Sequence, residues 1–164
     1  MSEAIDPGAE IGHVHLKVSD LDRAVAFYRD ALGFELQQEW EGAAFLSAGG
    51  YHHHIGLNTW QSAGGSPPPP GSTGLFHFAI RYPTRAALGR ALKRVLEAGV
   101  DLSGASDHGV SEAIYLQDPE RNGIELYWDR PREEWPRPPS GDGVVMGTAP
   151  LDLGGLLAEA EAAS

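Results

Sequence analysis

The chain has no cysteine, so neither a disulfide framework nor a thiolate metal site is available to it. Any metal would have to be held by histidine, carboxylate or backbone oxygen. Cations are scarce: 12 Lys and Arg stand against 23 Asp and Glu, a net charge of -11 with a pI near 4.9. That balance argues against nucleic acid and anionic membrane as main partners, and its simplest reading is solubility. No apolar run approaches the ~20 residues of a membrane span. The opening MSEAIDPG lacks the basic-then-apolar pattern of a signal peptide, so the expected compartment is the cytoplasm. What remains is 164 residues with 41% hydrophobic content, the size of one ordinary domain with its own core.

Within that length a pattern occurs twice. After a leader over 1–10, the stretch IGHVHLKV alternates, with Val14, Leu16 and Val18 on one face and His13, His15 and Lys17 on the other. Ser19-Asp20 then caps a helix whose apolar residues Leu21, Val25, Tyr28 and Leu32 recur at helical spacing, and Gly33 ends it. FELQQEW, AAFLSAG and HHHIGLNTW read as three short strands. SAGGSPPPPGSTG follows, a polyproline arc with free ends that reads as a linker over 61–74. The plan then repeats over 75–131: LFHFAIRY is a strand, Pro83-Thr84 opens a helix, and VDLSGAS, EAIYLQD and GIELYWD are strands. His13 and Lys17 match His77 and Arg81 at an offset of 64, and Ile55-Gly56-Leu57 matches Ile124-Glu125-Leu126 at an offset of 69. The expected fold is therefore α+β: paired βαβββ modules, 11–60 and 75–131 of a single domain 11–131, forming a curved mixed sheet around a cleft. The tail, 132–164, reads as an extended arm and a short helix, with no chemistry assigned to it.

The repeat selects the candidate site. His13 and His77 occupy equivalent points of the two first strands; Gly56 and Glu125 occupy equivalent points of the two last strands. On a pseudo-twofold axis these four positions converge. Three of them carry metal donors, and glycine leaves the fourth without one. Two imidazoles and one carboxylate with open positions opposite form the arrangement of non-haem Fe(II) oxygenases. A lone strand histidine is more often a satisfied polar group than a ligand; the correspondence between halves is what raises these three. The run YHHHIG adds an acid–base candidate. Strand alternation predicts His54 on the face of Gly56, His52 one step further out and His53 turned away. His15 shares the His13 face as a supporting residue. Tyr115, ten residues before Glu125 on the neighbouring strand, is either an ordinary core aromatic or a donor to a bound oxyanion. Asp107-His108 lies in a Gly-bearing loop that can cover the site.

The segments HVHLKVSDLDRAVAFYRDALGF, LFHFAIRY and DPERNGIELYWDRP resemble the vicinal oxygen chelate superfamily, which holds glyoxalase I, bleomycin-resistance proteins and type I extradiol dioxygenases. YHHHIGLNTW, GLFHFAI and ASDHGVSEAIYLQDPERNGIELYWDRP resemble its catechol 2,3-dioxygenase branch. The resemblance implies a metal site of His13, His77 and Glu125 holding Fe(II), with Mn(II) equally suited to the set. It implies catalytic roles for Tyr115, for His54 with His53 as the other candidate, and for His108 as a further cleft histidine. It implies a small-molecule aromatic diol and O2 as reactants, and no nucleic acid or membrane partner. Many extradiol enzymes carry four modules; with two, a homodimer partner, the Pro-rich arm or the tail would have to supply pocket walls. Two other functions stay open: a glyoxalase-type metal-dependent isomerase or lyase, which would need a donor where Gly56 stands, and a non-catalytic binding protein for an aromatic molecule.

Overall fold

A computed structural model of the chain describes residues 4–163. Residues 1–3 of the expected leader, and Ser164, lie outside the described residues. The first module runs β1 (Val14–Lys17), α1 (Leu21–Ala26) and a π-helical turn (Phe27–Ala31), then β2 (Glu35–Trp40), β3 (Ala43–Ser47) and β4 (Ile55–Asn58). The second runs β5 (His77–Arg81), α2 (Arg85–Glu97), β6 (Leu102–Asp107), β7 (Ser111–Gln117) and β8 (Gly123–Asp129). A short 3-10 turn (Arg132–Glu134) and α3 (Leu153–Ala162) complete the chain. The α+β class and the doubled βαβββ order are as the sequence leads one to expect.

Local signals explain the boundaries. Asp20 caps α1 by accepting from Arg23 N at 3.0 Å, and Thr84 caps α2 by accepting from Ala87 N at 3.1 Å. Gly33, at φ 83°, supplies the left-handed residue that lets the chain leave the first helix. The helical spacing of Leu21, Val25, Tyr28 and Leu32 predicts a regular helix to Leu32. The helix instead widens after Ala26, and Leu32 N donates to Phe27 O, five residues back, at 3.3 Å.

Each module makes one four-stranded mixed sheet, ordered β1-β4-β3-β2 and β5-β8-β7-β6. β1 runs parallel to β4, and β5 parallel to β8; the other neighbours are antiparallel. The two registers correspond. Val14 pairs with Ile55 and Phe78 with Ile124, while His15 pairs with Gly56 and Ala79 with Glu125. Both offsets read from the sequence are thus met in space. No ladder joins β1 to β5 among the described residues, so the sheets are two rather than one continuous surface.

Strand alternation divides the faces. Leu16, Leu57, Phe78, Ile114, Ile124 and Leu126 are buried beneath the helices and join one core with Val25, Tyr28, Leu88 and Leu92. The opposite face carries His15, Lys17, His77, Arg81, Tyr115 and Glu125, all partly or fully exposed. A core of large aliphatics on both modules fixes their relation; truncating one such as Leu92, fully buried, costs about 2–5 kcal/mol. Polar bonds add direction. Tyr28 donates to Asp118 Oδ2 at 2.8 Å, and Glu120 Oε1 accepts from Ser19 N, Ser19 Oγ and Arg23 Nη2. Both carboxylates belong to the β7–β8 turn, so the second module's turn grips the first module's helix.

The Pro-rich segment runs between β4 and β5. It lies over β1, and Pro67–Pro69 close one side of a cavity of about 880 Å³ whose floor includes His15 and Lys17. The tail is more than a loose arm: α3 lies on α2, where a side chain at Gly89 would strike the Leu156 carbonyl. Leu156 is fully buried.

Candidate active site

Four of the residues singled out in the sequence meet on the second sheet. His77 and Glu125 stand on the neighbouring parallel strands β5 and β8, with His77 Nε2 2.9 Å from Glu125 Oε2. Tyr115, directly opposite Glu125 on β7, brings its hydroxyl to 3.3 Å from Glu125 Oε1. His108, beyond the end of β6, places Nε2 2.7 Å from the same hydroxyl, and its Nδ1 is 2.8 Å from the Gly147 carbonyl. The Tyr115 phenol is pushed up to about 12, by burial first and then by the Glu125 carboxylate beside it, so it is protonated through the neutral range. Gly147 was not foreseen: the tail had been given no chemistry, and a backbone carbonyl leaves no mark in a sequence.

The first module contributes differently from expectation. His13 does not join His77 and Glu125; its ring rests against His53, centroids 4.4 Å apart and planes at 49°. His53 also meets the edge of Phe45, at 5.1 Å. His54 lines a cavity between the modules with His13, Ala79 and Arg81, and there it accepts from Ala48 N through Nδ1 at 3.2 Å and lies along Tyr51. Strand alternation holds only from Ile55 onward, and the chain bends at His52 and His54 after two left-handed glycines, Gly49 and Gly50. The regular alternation that leads back from Gly56 is therefore interrupted within the histidine run. The paired glycines were the available signal. His53 is held below the usual imidazole range by burial first, then by the surrounding histidines, His13 foremost. A neutral ring in that position is a proton acceptor. Its Nδ1 is 2.8 Å from His52 Nδ1, so one of those two nitrogens carries a proton and the other does not.

Gly56 also has a local explanation. A Cβ there would lie 2.9 Å from the His15 ring, which covers the glycine. His15 Nε2 is 2.9 Å from Asn58 Nδ2, and Trp60 N donates to Asn58 Oδ1 at 3.2 Å. The second module reverses the sizes: small Ala79 beside large Glu125, where the first has large His15 beside Gly56.

Whether these residues suit a divalent metal depends on donor chemistry. An imidazole and a carboxylate in contact, with a second imidazole at the matching position of the other module, are the donor types that suit Fe(II) or Mn(II). In that sense the set fits. Among the described residues, however, no three His, Asp or Glu side chains are gathered closely enough to hold an ion. The pair His77–Glu125 is formed, and His13 is turned to His53.

Known proteins resemble the chain over most of its length. The chain is 42% identical over 157 residues to the catechol-2,3-dioxygenase of Bacillus subtilis (strain 168), a match covering 96% of this chain and 54% of that protein. It is 28% identical over 119 residues to biphenyl-2,3-diol 1,2-dioxygenase 3 of Rhodococcus globerulus, covering 73% of this chain and 63% of the relative. The chain thus spans little more than half the length of these relatives. Among solved structures, a glyoxalase/dioxygenase from Nostoc punctiforme superposes with a TM-score of 0.63 at 19% identity, covering 80% of this chain and 99% of that one. Lactoylglutathione lyase from Agrobacterium tumefaciens gives 0.58 at 24% identity, covering 75% and 96%. At such identities these two show the fold alone. The sequence model of one family matches residues 10–126, most of the chain, and on that match the protein belongs to the glyoxalase/bleomycin resistance protein/dioxygenase superfamily.

Proposed function

We propose that the chain is a metal-dependent extradiol ring-cleaving dioxygenase acting on a catechol-type aromatic diol with O2. The observation that carries this reading is the His77–Glu125 pair with the Tyr115 hydroxyl at 3.3 Å from the same carboxylate. The similarity to two enzymes named for cleaving vicinal aromatic diols supports it.

In this reading His13, His77 and Glu125 hold Fe(II), or Mn(II), at the cleft between the modules. His13 leaves its contact with His53 to do so. The bound ion would supply Lewis acidity toward the two vicinal oxygens of the diol and a path for electrons from the ring to O2. The chain's own groups manage the protons. His53, neutral and on the His13 side, accepts one proton from the diol and returns it when the ring opens. His53 replaces His54 in this role, because its ring meets His13 and Phe45 while His54 is tied to Ala48 N. The Tyr115 phenol meets an oxygen of the diol, and the His108 ring beside it fixes its direction. The Phe45 edge covers one side of the His53 ring.

The test is anaerobic reconstitution with Fe(II), followed by O2 uptake against a panel of catechols. Uptake with a yellow ring-opened product is expected. No uptake with any diol, together with turnover of a thiol hemiacetal without O2, would replace this reading with a glyoxalase-type isomerase.

A further inference from the structure

The C-terminal arm reaches the cluster by adding itself to the free edge of β6. Asp107 and Ala149 exchange both backbone hydrogen bonds, each at 2.9 Å, and Gly147 N donates to His108 O at 3.1 Å. The return contact is the informative one. Gly147 O lies 2.8 Å from His108 Nδ1, and a carbonyl oxygen only accepts, so Nδ1 carries a proton. In the neutral ring Nε2 is then bare. The group facing it, at 2.7 Å, is the Tyr115 hydroxyl, which must donate. Tyr115 has one proton to give, and its contact with Glu125 is the longer of the two, at 3.3 Å.

We propose that the arm is a working part of the site: the Gly147 carbonyl holds His108 in the Nδ1–H tautomer, His108 Nε2 takes the hydrogen bond of Tyr115, and the phenol oxygen turns its lone pairs to the cleft. This rests on the reading of His77, Glu125 and Tyr115 as the diol site, and it names what Tyr115 is ready to recognise. Tyr115 is set to accept from a hydroxyl of the incoming ligand, while Glu125 keeps its own lone pairs free of a phenol proton. A ligand presenting a hydroxyl donor at that point, such as a free diol, is favoured over one presenting an ether or carbonyl oxygen. His108 and Gly147 are positioning groups; neither touches the reacting atoms. The arm contributes through geometry alone, which explains why 143–149 returns to the second module before α3 begins.

The tautomer can be read without turnover. Long-range proton–nitrogen NMR of the metal-free full chain at pH 9, with His108 assigned by its loss in His108→Gln, should show Nδ1 protonated and Nε2 bare. Ala149→Pro removes the N–H donated to Asp107 and loosens the arm; the ring should then become a mixture of tautomers while the circular dichroism is unchanged. An Nε2–H ring, or one protonated on both nitrogens, in the wild-type protein overturns the proposal. So does a wild-type tautomer that Ala149→Pro leaves untouched. Activity provides a second arm. A Gln amide sits where Nε2 was and still accepts from Tyr115, whereas an Asn amide reaches Gly147 only. His108→Asn should lower kcat about 10- to 100-fold, and His108→Gln should lower it less. Equal losses in both variants would contradict the positioning role. If the wild-type protein proves inactive toward diols while the tautomer is as described, the functional reading fails and the positioning stands.

Discussion

The His13 and His53 rings lie 4.4 Å apart, a donor of the proposed metal set resting on the proposed base. This contact favours His53, the second candidate of the sequence reading, over its neighbour His54. His53→Gln should leave Fe(II) binding intact and reduce turnover by about 10²- to 10⁴-fold, the usual worth of a positioned acid–base group. His54→Gln should cost little, because His54 is engaged with Ala48 N. Steady-state O2 uptake on both variants checks this, and the opposite ranking would return the role to His54.

A reciprocal exchange of size distinguishes the two modules. His15 covers Gly56, whereas Ala79 leaves room for Glu125. Gly56→Glu alone forces a carboxylate against the His15 ring and should destabilise the fold. His15→Ala combined with Gly56→Glu recreates the pairing of the second module. Denaturant unfolding of the two single variants and the double variant should give a favourable coupling of about 1 kcal/mol or more, within the range for residues in contact. Additive effects would show that the ring and the glycine are independent.

Tyr28 is fully buried and donates to Asp118, which also accepts from Glu120 N, Asn122 N and Asn122 Nδ2. Tyr28→Phe keeps the packing and removes one donor from a buried carboxylate. The expected cost is about 1–3 kcal/mol, read as a drop of about 2–4 °C in Tm for each kcal/mol. An unchanged Tm would mean that the latch between helix and turn carries no weight.

Acid should loosen the same junction. Burial pushes the Glu120 carboxyl up, but the Ser19 hydroxyl, the Ser19 N–H and the Arg23 guanidinium outweigh it, and the net direction is down from the usual carboxylate range. A carboxyl with a lower pKa in the folded than in the unfolded state stabilises above its unfolded value, near 4.3, and loses that contribution as pH falls through the folded one. Stability measured between pH 6 and 3 should therefore fall less steeply in Glu120→Gln than in the wild-type chain. Parallel curves would remove Glu120 from the acid response.

Much of the architecture was legible because it rests on periodicity. Val14, Leu16, Phe78 and Ile80 alternate with small or polar neighbours, and the offsets of 64 and 69 reappear in the pairs Val14–Ile55 and Phe78–Ile124. His77, Glu125 and Tyr115 could be placed together for the same reason, since register alone brings them to adjacent strands, whereas His108 was singled out by its loop and by the resemblance. What escaped was set by atoms that pattern does not encode. The bends at His52 and His54 interrupt the alternation assumed for the YHHHIG run. The widened turn after Ala26 depends on a five-residue hydrogen bond, and the Gly147 contact depends on a backbone carbonyl brought back by the tail.

The proposed site draws one imidazole from the first module and an imidazole–carboxylate pair from the second, so anaerobic equilibrium binding of Fe(II) interrogates it most directly. The wild-type chain should bind one ion. His13→Ala, His77→Ala and Glu125→Ala should each lose affinity by more than the roughly 10- to 100-fold that removal of an outer hydrogen-bond partner costs. An His13→Ala protein that binds Fe(II) as tightly as the wild type would contradict a centre shared between the two halves.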